Sequence, residues 1–134
     1  KAHIAREGTD VTIVSFNKMM KVALAAAEEL AKEGISAEVI DLRTIRPMDH
    51  ETIIRSVMKT SRIVVVDENW PFGSVASEIA FRVQKDAFDH LDAPVLRVNQ
   101  ADTPLPFAPG LIEASLPSVS RTVRAVKECM YLVK

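Results

Sequence analysis

Four consecutive β-branched apolar residues, Ile63-Val64-Val65-Val66, stand between Arg62 and Asp67. A run without polar alternation suits a strand covered on both faces, as in the interior of a parallel sheet, and it predicts the central strand of this chain. The residues that follow it, Asp67-Glu68-Asn69-Trp70-Pro71-Phe72-Gly73-Ser74, then fall at the carboxyl edge of the sheet. Open α/β proteins place functional groups at that edge. Covering both faces of such a strand requires helices on either side, so the rest of the chain must alternate strands with helices.

The chain reads that way in order. Residues 3–6 suit a short edge strand, a turn follows at residues 7–10, and residues 11–16 form a second strand rich in β-branched side chains. Asn17 reads as the cap of a helix over residues 18–33, with Met20, Leu24, Ala27 and Ala31 on one face beside Val22, Ala26 and Leu30. Gly34 suits the left-handed terminating position. Residues 37–42 form a strand, and Pro47 forces a loop by disfavouring helix at the residue before it. Asp49 caps the next helix, with Ile53, Ile54, Val57 and Met58 inward and His50, Arg55, Ser56 and Lys59 outward. After the apolar run, Val75, Ile79, Val83 and Ala87 repeat at about one turn. Residues 93–99 form the last strand, with Pro94 at its start, where a missing donor does least harm. A proline-studded apolar loop over residues 101–110 precedes a final helix capped by Ser118, with Val119, Val123, Val126 and Met130 inward.

Composition narrows the function more by exclusion than by assignment. With 17 basic and 18 acidic residues the net charge is −1, so no concentrated positive field invites nucleic acid or an anionic membrane. No apolar run approaches the eighteen or so residues of a membrane span. The single cysteine, Cys129, excludes an internal disulfide and is too few for a cysteine-based metal site. The chain starts at Lys1 with neither Met nor a signal-peptide pattern, so a piece of a longer protein is expected; processing would leave the same mark.

Standard site patterns are missing. No Gly-x-Gly-x-x-Gly, phosphate-binding Gly-Lys-Ser/Thr or Gly-x-Ser-x-Gly occurs among the 4 glycines. His3, His50 and His90 lack metal-ligand spacing and read as surface histidines. Asp67 and Glu68 sit where partial burial would suit acid–base work. No nucleophile or base can be placed beside them, which favours local capping or pairing. Arg43 and Arg46 on one loop fit solvation or pairing with acids better than an anion site. The Met19-Met20 pair fits core gap-filling better than a soft binding surface. Trp70 suits an interface anchor and core packing equally.

Several stretches taken together carry a resemblance. Val14-Ser15-Phe16 before the first helix, residues 38–49, Val66-Asp67-Glu68-Asn69-Trp70-Pro71, Ser77-Glu78-Ile79, Leu91-Asp92-Ala93-Pro94 and residues 101–107 occur in the order they take in one family. The chain resembles the C-terminal, transketolase-type domain of pyruvate dehydrogenase beta subunits, thiamine-dependent 2-oxo acid dehydrogenases. The resemblance covers essentially residues 1–134 as one domain of a longer subunit. It implies an α/β fold of three layers, α/β/α, around a five-stranded, mostly parallel mixed sheet whose first strand is antiparallel. It also implies oxidative decarboxylation of pyruvate by the complete enzyme. Thiamine diphosphate and magnesium are then held outside this stretch, by the alpha subunit and the N-terminal domain of the beta subunit, and no catalytic, cofactor or metal ligand is expected here.

The implied partners are the alpha subunit, a second beta subunit and the dihydrolipoyl acyltransferase. The implied compartment is the mitochondrial matrix in a eukaryote and the cytoplasm in a bacterium. Trp70, Pro71, Asp102, Pro104, Pro106 and Phe107, on apolar, aromatic or proline-rich loops, are the expected subunit contacts. Asp92 matches an acidic position that docks the acyltransferase, with a local loop cap as its alternative role. The family pattern is broken at Ser74, where glycine is common, and at Phe107, where tyrosine is common. The C-terminal helix also runs slightly past the usual family end. Two other functions fit: the equivalent domain of a branched-chain 2-oxo acid dehydrogenase or another thiamine enzyme, and a free-standing flavodoxin-like binding module.

Overall fold

The computed structural model describes residues 1–43, 48–67, 75–98 and 118–133. Its elements follow the expected order: β1 (His3–Arg6), β2 (Val11–Ser15), α1 (Met19–Lys32), β3 (Ala37–Asp41), α2 (His50–Thr60), β4 (Ile63–Val66), α3 (Val75–Ala87), a 3-10 turn (Phe88–His90), β5 (Leu96–Val98) and α4 (Val119–Cys129). The strands form one 5-stranded sheet in the order β1-β3-β2-β4-β5. Strands β3, β2, β4 and β5 run parallel, and β1 pairs antiparallel with β3 through His3 to Asp41, Ile4 to Ile40 and Arg6 to Val39. That antiparallel edge separates the sheet from an all-parallel flavodoxin-type one.

The central strand is β2, not β4. Val11–Ser15 pairs along its whole length with β3, and Thr12, Ile13 and Val14 pair with Ile63, Val64 and Val65 on the other side. Polar Thr12 and Ser15 disguised this strand in the sequence, yet both are fully buried because their hydroxyls are bonded. β4 is apolar on both faces because a helical layer covers each face, although it lies one strand from the edge.

Alternation along the strands builds two cores. Val11, Ile13, Val39, Val64 and Val66 face α1 and α4, where they meet Ala23, Ala27, Leu30, Ala125 and Val126. Val14, Ile40, Ile63 and Val65 face α2 and α3, where they meet Ile53, Val57, Ala76, Ile79 and Val83. The three layers expected from the sequence are present.

Helix boundaries largely follow the sequence signals, while several buried stripes are rotated. Asp49 caps α2 by accepting from the Thr52 N–H at 3.2 Å, Ser118 caps α4 by accepting from Arg121, and Gly34 takes φ +80° after α1. Asn17 does not cap α1. It adopts φ 55° and its carbonyl accepts from Met20, a left-handed turn that asparagine tolerates. The buried face of α1 is Met19, Ala23, Ala26, Ala27 and Leu30, leaving Leu24 and Ala31 exposed. Alanine at three of those positions lets the helix lie close to the sheet. In α2, Ile53 and Val57 face inward as expected, but Ser56 is buried and Met58 is 50% exposed. Ser56 is drawn inward because its hydroxyl donates to Glu38. In α4 the buried stripe is Thr122, Ala125, Val126 and Cys129, with Val119, Val123 and Met130 only partly buried. The Thr122 hydroxyl donates to the Ser118 carbonyl at 2.9 Å, which removes the cost of burying it.

Candidate docking corner at the amino edge of the sheet

Asp92 lies two residues after the 3-10 turn Phe88–His90 and four before the start of β5 at Leu96. Its backbone is fixed from two directions. The Asp92 N–H donates to the Ser61 carbonyl at 2.9 Å, and its carbonyl accepts from the Tyr131 hydroxyl at 3.0 Å. Ser61 ends α2 in the left-handed conformation, φ 64°, and Tyr131 follows α4 at φ 60°. Three chain segments therefore meet at one corner, at the amino end of β4.

The Asp92 carboxylate is 60% exposed and points to a single cation, with Arg62 Nη1 3.9 Å away. Arg62 is itself anchored by Nε, which donates to the Cys129 carbonyl at 3.1 Å. The local contact of the Asp92 carboxylate is thus a loose ion pair with Arg62, beside the loop-cap role expected as its alternative. Beside it stand exposed apolar side chains: Tyr131 at 68% and Leu132 at 59%. An accessible carboxylate on a rigid backbone, flanked by uncovered apolar surface, suits contact with a basic protein surface that also offers apolar groups.

A second polar cluster, deeper under the same edge, escaped the sequence reading. Glu38 on β3 is 1% exposed. Its carboxylate accepts from the Gly8 N–H at 3.3 Å, from Ser56 Oγ at 2.6 Å and from Lys59 Nζ. Ser56 Oγ lies 2.6 Å from Thr12 Oγ1, which lies 2.7 Å from Thr60 Oγ1, and that hydroxyl donates to the Arg62 carbonyl. Burial by itself raises the Glu38 pKa, but the hydrogen bonds from Lys59, Ser56 and Gly8 and the charge of Lys59 outweigh it and hold the carboxyl below its ordinary range. Gly8 is required by space: a Cβ there would stand 2.2 Å from the Ala37 carbonyl carbon. The signal available beforehand was Thr12, Glu38, Ser56 and Thr60, four polar residues at positions a core would otherwise fill.

The remaining expected sites divide clearly. Asp67 is buried at the carboxyl end of β4, where its N–H donates to the Val98 carbonyl at 3.0 Å. Arg43 Nε lies 3.7 Å from Asp41. Burial lowers the pKa of His50 and pushes the Cys129 thiol up to about 11, which leaves that cysteine a core residue and a poor nucleophile. Met19 is buried in the α1 core, as expected. Trp70, Pro71, Asp102, Pro104, Pro106 and Phe107 lie outside the described residues, as do Arg46 and Glu68. Among the described residues no helix is long and apolar enough to cross a membrane, and no three His, Cys, Asp or Glu side chains gather to hold a metal.

An α/β/α domain with a parallel sheet and one antiparallel edge strand is the class this architecture defines. Residues 1–121 match the family model described as transketolase, C-terminal domain, and the chain belongs to that family. It is 54% identical over 134 residues to pyruvate dehydrogenase E1 component subunit beta-1, mitochondrial, of Arabidopsis thaliana, covering 100% of this chain and 37% of that protein. It is 52% identical over 131 residues to the pyruvate dehydrogenase E1 component subunit beta of Rickettsia felis, covering 98% of this chain and 40% of that protein. Among solved structures, a chain described as split gene transketolase, inactive beta4 tetramer, superposes with a TM-score of 0.88 at 30% identity, over 100% of this chain and 43% of that one. The chain therefore spans about two fifths of the length of the curated relatives it matches.

Proposed function

We propose that residues 1–134 are the C-terminal assembly and docking domain of a pyruvate dehydrogenase beta subunit. The observation that carries this is identity of 54% along the entire chain to a beta subunit of that enzyme. In this reading the complete enzyme decarboxylates pyruvate oxidatively and passes the acyl group to the lipoyl group of a dihydrolipoyl acyltransferase. The domain packs against the alpha subunit and a second beta subunit through Trp70, Pro71, Asp102, Pro104, Pro106 and Phe107, and it presents Asp92 to the acyltransferase. The compartment follows the organism, mitochondrial matrix or bacterial cytoplasm.

Thiamine diphosphate and magnesium belong to the rest of that enzyme. Two observations support this reading: among the described residues no His, Cys, Asp or Glu cluster gathers to hold a metal, and a cleft of about 550 Å³ is lined by Val119, Val123 and Val133 with Glu29 and Glu33 balanced by Arg124 and Lys127. Lys127 pairs with Glu33 and Arg124 with Glu128, so these cations are already engaged by carboxylates and offer no net positive cradle for a diphosphate. Calorimetry of the 134-residue chain with thiamine diphosphate and magnesium is expected to show no micromolar binding, and stoichiometric binding would overturn the assignment of the cofactor to the rest of the enzyme.

The decisive experiment replaces the corresponding segment of the Arabidopsis beta-1 subunit with this chain and co-expresses it with the alpha subunit. Assembly and pyruvate-dependent acetyl transfer are expected to survive. A chimera that folds but neither assembles nor turns over pyruvate, beside an active parent, would sink the reading.

A further inference from the structure

Arg62 immediately precedes β4 and sits deeper than its acidic neighbour: its side chain is 25% exposed, against 60% for Asp92. Arg62 Nε donates at 3.1 Å to the carbonyl of Cys129, the last residue of α4. Carbonyls at a helix C-terminus carry partial negative charge, so the end of α4 is a favourable place for this cation. The tether leaves Arg62 Nη1 3.9 Å from Asp92 Oδ2, within reach of charge attraction and beyond the length of a hydrogen bond. The backbone of the corner is held by other groups. The Arg62 carbonyl accepts from the Thr12 N–H at 2.8 Å and from Thr60 Oγ1 at 3.0 Å, while Asp92 is fixed through Ser61 and Tyr131. The positive charge of Arg62 is therefore separable from the shape of the corner.

We propose that Arg62 is an affinity-determining residue of this corner: a tethered cation that competes with the partner's cation for Asp92 and keeps the affinity below that of a bare carboxylate. The inference rests on the docking role of Asp92 proposed above and adds the residue that tempers it. A basic group arriving from solvent meets the exposed Asp92 first, with Arg62 behind it. It must take over a carboxylate already attracted to another cation, and it comes to stand close to that like charge. The bond to the Cys129 carbonyl restrains Arg62 from swinging away to relieve the repulsion. Both effects oppose binding, so neutralising Arg62 tightens the complex. An exposed ion pair at this separation is weak, which limits the gain to about two- to fivefold in affinity.

The test is a double-mutant cycle on the assembled enzyme carrying this chain, titrated with the subunit-binding domain of the acyltransferase. Arg62→Gln is expected to bind about two- to fivefold more tightly at low salt, and the gain should shrink as salt is added. Arg62→Lys, which keeps a cation beside Asp92, should return the affinity to within about twofold of the original chain. In the Asp92→Asn background most of the gain from Arg62→Gln should disappear, because the contested carboxylate is gone. Urea unfolding checks that each variant keeps its fold. Where Asp92→Asn weakens binding but Arg62→Gln fails to tighten it, the competition is refuted and the docking role of Asp92 stands. A gain of equal size in the Asp92→Asn background refutes it as well. Where Asp92→Asn leaves the affinity unchanged, the docking role fails and this inference falls with it.

Discussion

Two carboxylates stand under the amino edge of this sheet and are held in opposite ways. Glu38 is 1% exposed and its two oxygens are engaged by a backbone amide, a serine hydroxyl and a lysine ammonium. Asp92 is rigid in its backbone but free in its carboxylate, 60% exposed with one cation 3.9 Å away. A buried charge is tolerated only when its hydrogen-bonding capacity is met, so Glu38 is committed to the fold. An exposed carboxylate retains its hydration until a partner replaces it, so Asp92 is available for binding. The same chemical group is thus committed to the fold in one place and left open to solvent in the other, and the difference lies in what surrounds each oxygen.

The most damaging way to break the comparison is Gly8→Ala. Its new Cβ would meet the backbone of Ala37 and Glu38 at 2.2–2.5 Å, and backbone cannot step aside as a side chain can. The β1–β2 turn must move, taking the Gly8 N–H from Glu38. A loss of about 3 kcal/mol or more, the upper end for overpacking, is expected in urea unfolding. Glu38→Gln should cost about 2–3 kcal/mol, because an amide nitrogen then faces donors and the charge opposite Lys59 is gone. Lys59 is itself half exposed, which limits its own share through solvent screening.

Acid sharpens this contrast further. The folded-state pKa of Glu38 lies below its ordinary value of 4.5, so the unfolded chain takes up the proton first as pH falls. The stabilisation from Glu38 is complete above that value and is lost as pH drops from it through the lowered folded pKa. Urea titrations from pH 6 downward should show the Glu38→Gln deficit shrinking in that window. A deficit that stays constant with pH would mean that Glu38 acts through shape and not through charge.

The sequence made the two carboxylates look alike, as single acids near a strand or loop, because pattern reading ranks polar residues as exposed. The order of the elements was legible: β-branched runs, Gly34, Asp49 and Ser118 each announce a boundary through local chemistry. The centre of the sheet was not, because Thr12 and Ser15 owe their burial to partners on other elements. Ser56 was misplaced outward for the same reason, and Met58, expected inward, is turned out on the same helix. A hydroxyl turns inward once a distant acceptor satisfies it, and that acceptor is not visible along a helical repeat. Asp92 was found through the family resemblance, while its corner with Arg62 and Tyr131 depends on contacts spanning 39 residues between Asp92 and Tyr131.

For recognition, Asp92→Asn is the next step down in magnitude. In the assembled enzyme it should weaken binding to the acyltransferase's small subunit-binding domain by roughly 1–3 kcal/mol, the range for a lost charge-assisted contact. Added salt should weaken the original complex more than the variant, since screening acts on the charge that was removed. Equal affinities and equal salt slopes would leave Asp92 as a local pairing residue for Arg62.

The smallest expected effect is that of the same substitution on the chain's own stability. Asp92→Asn keeps the two backbone hydrogen bonds that fix the turn, to Ser61 and from Tyr131, because neither uses the side chain. It removes one ion pair whose acid is mostly exposed and whose separation, 3.9 Å, is at the long limit for such contacts. Exposed pairs of this kind contribute about 0–1 kcal/mol. Arg62 also keeps its bond to the Cys129 carbonyl, so its guanidinium is not stranded. The change in unfolding free energy should therefore stay within about 0.5 kcal/mol, against the 2–3 kcal/mol expected at Glu38. A loss above about 1 kcal/mol would place Asp92 beside Glu38 among the residues that hold the fold, and any loss of acyltransferase affinity would then have to be separated from partial unfolding of the corner.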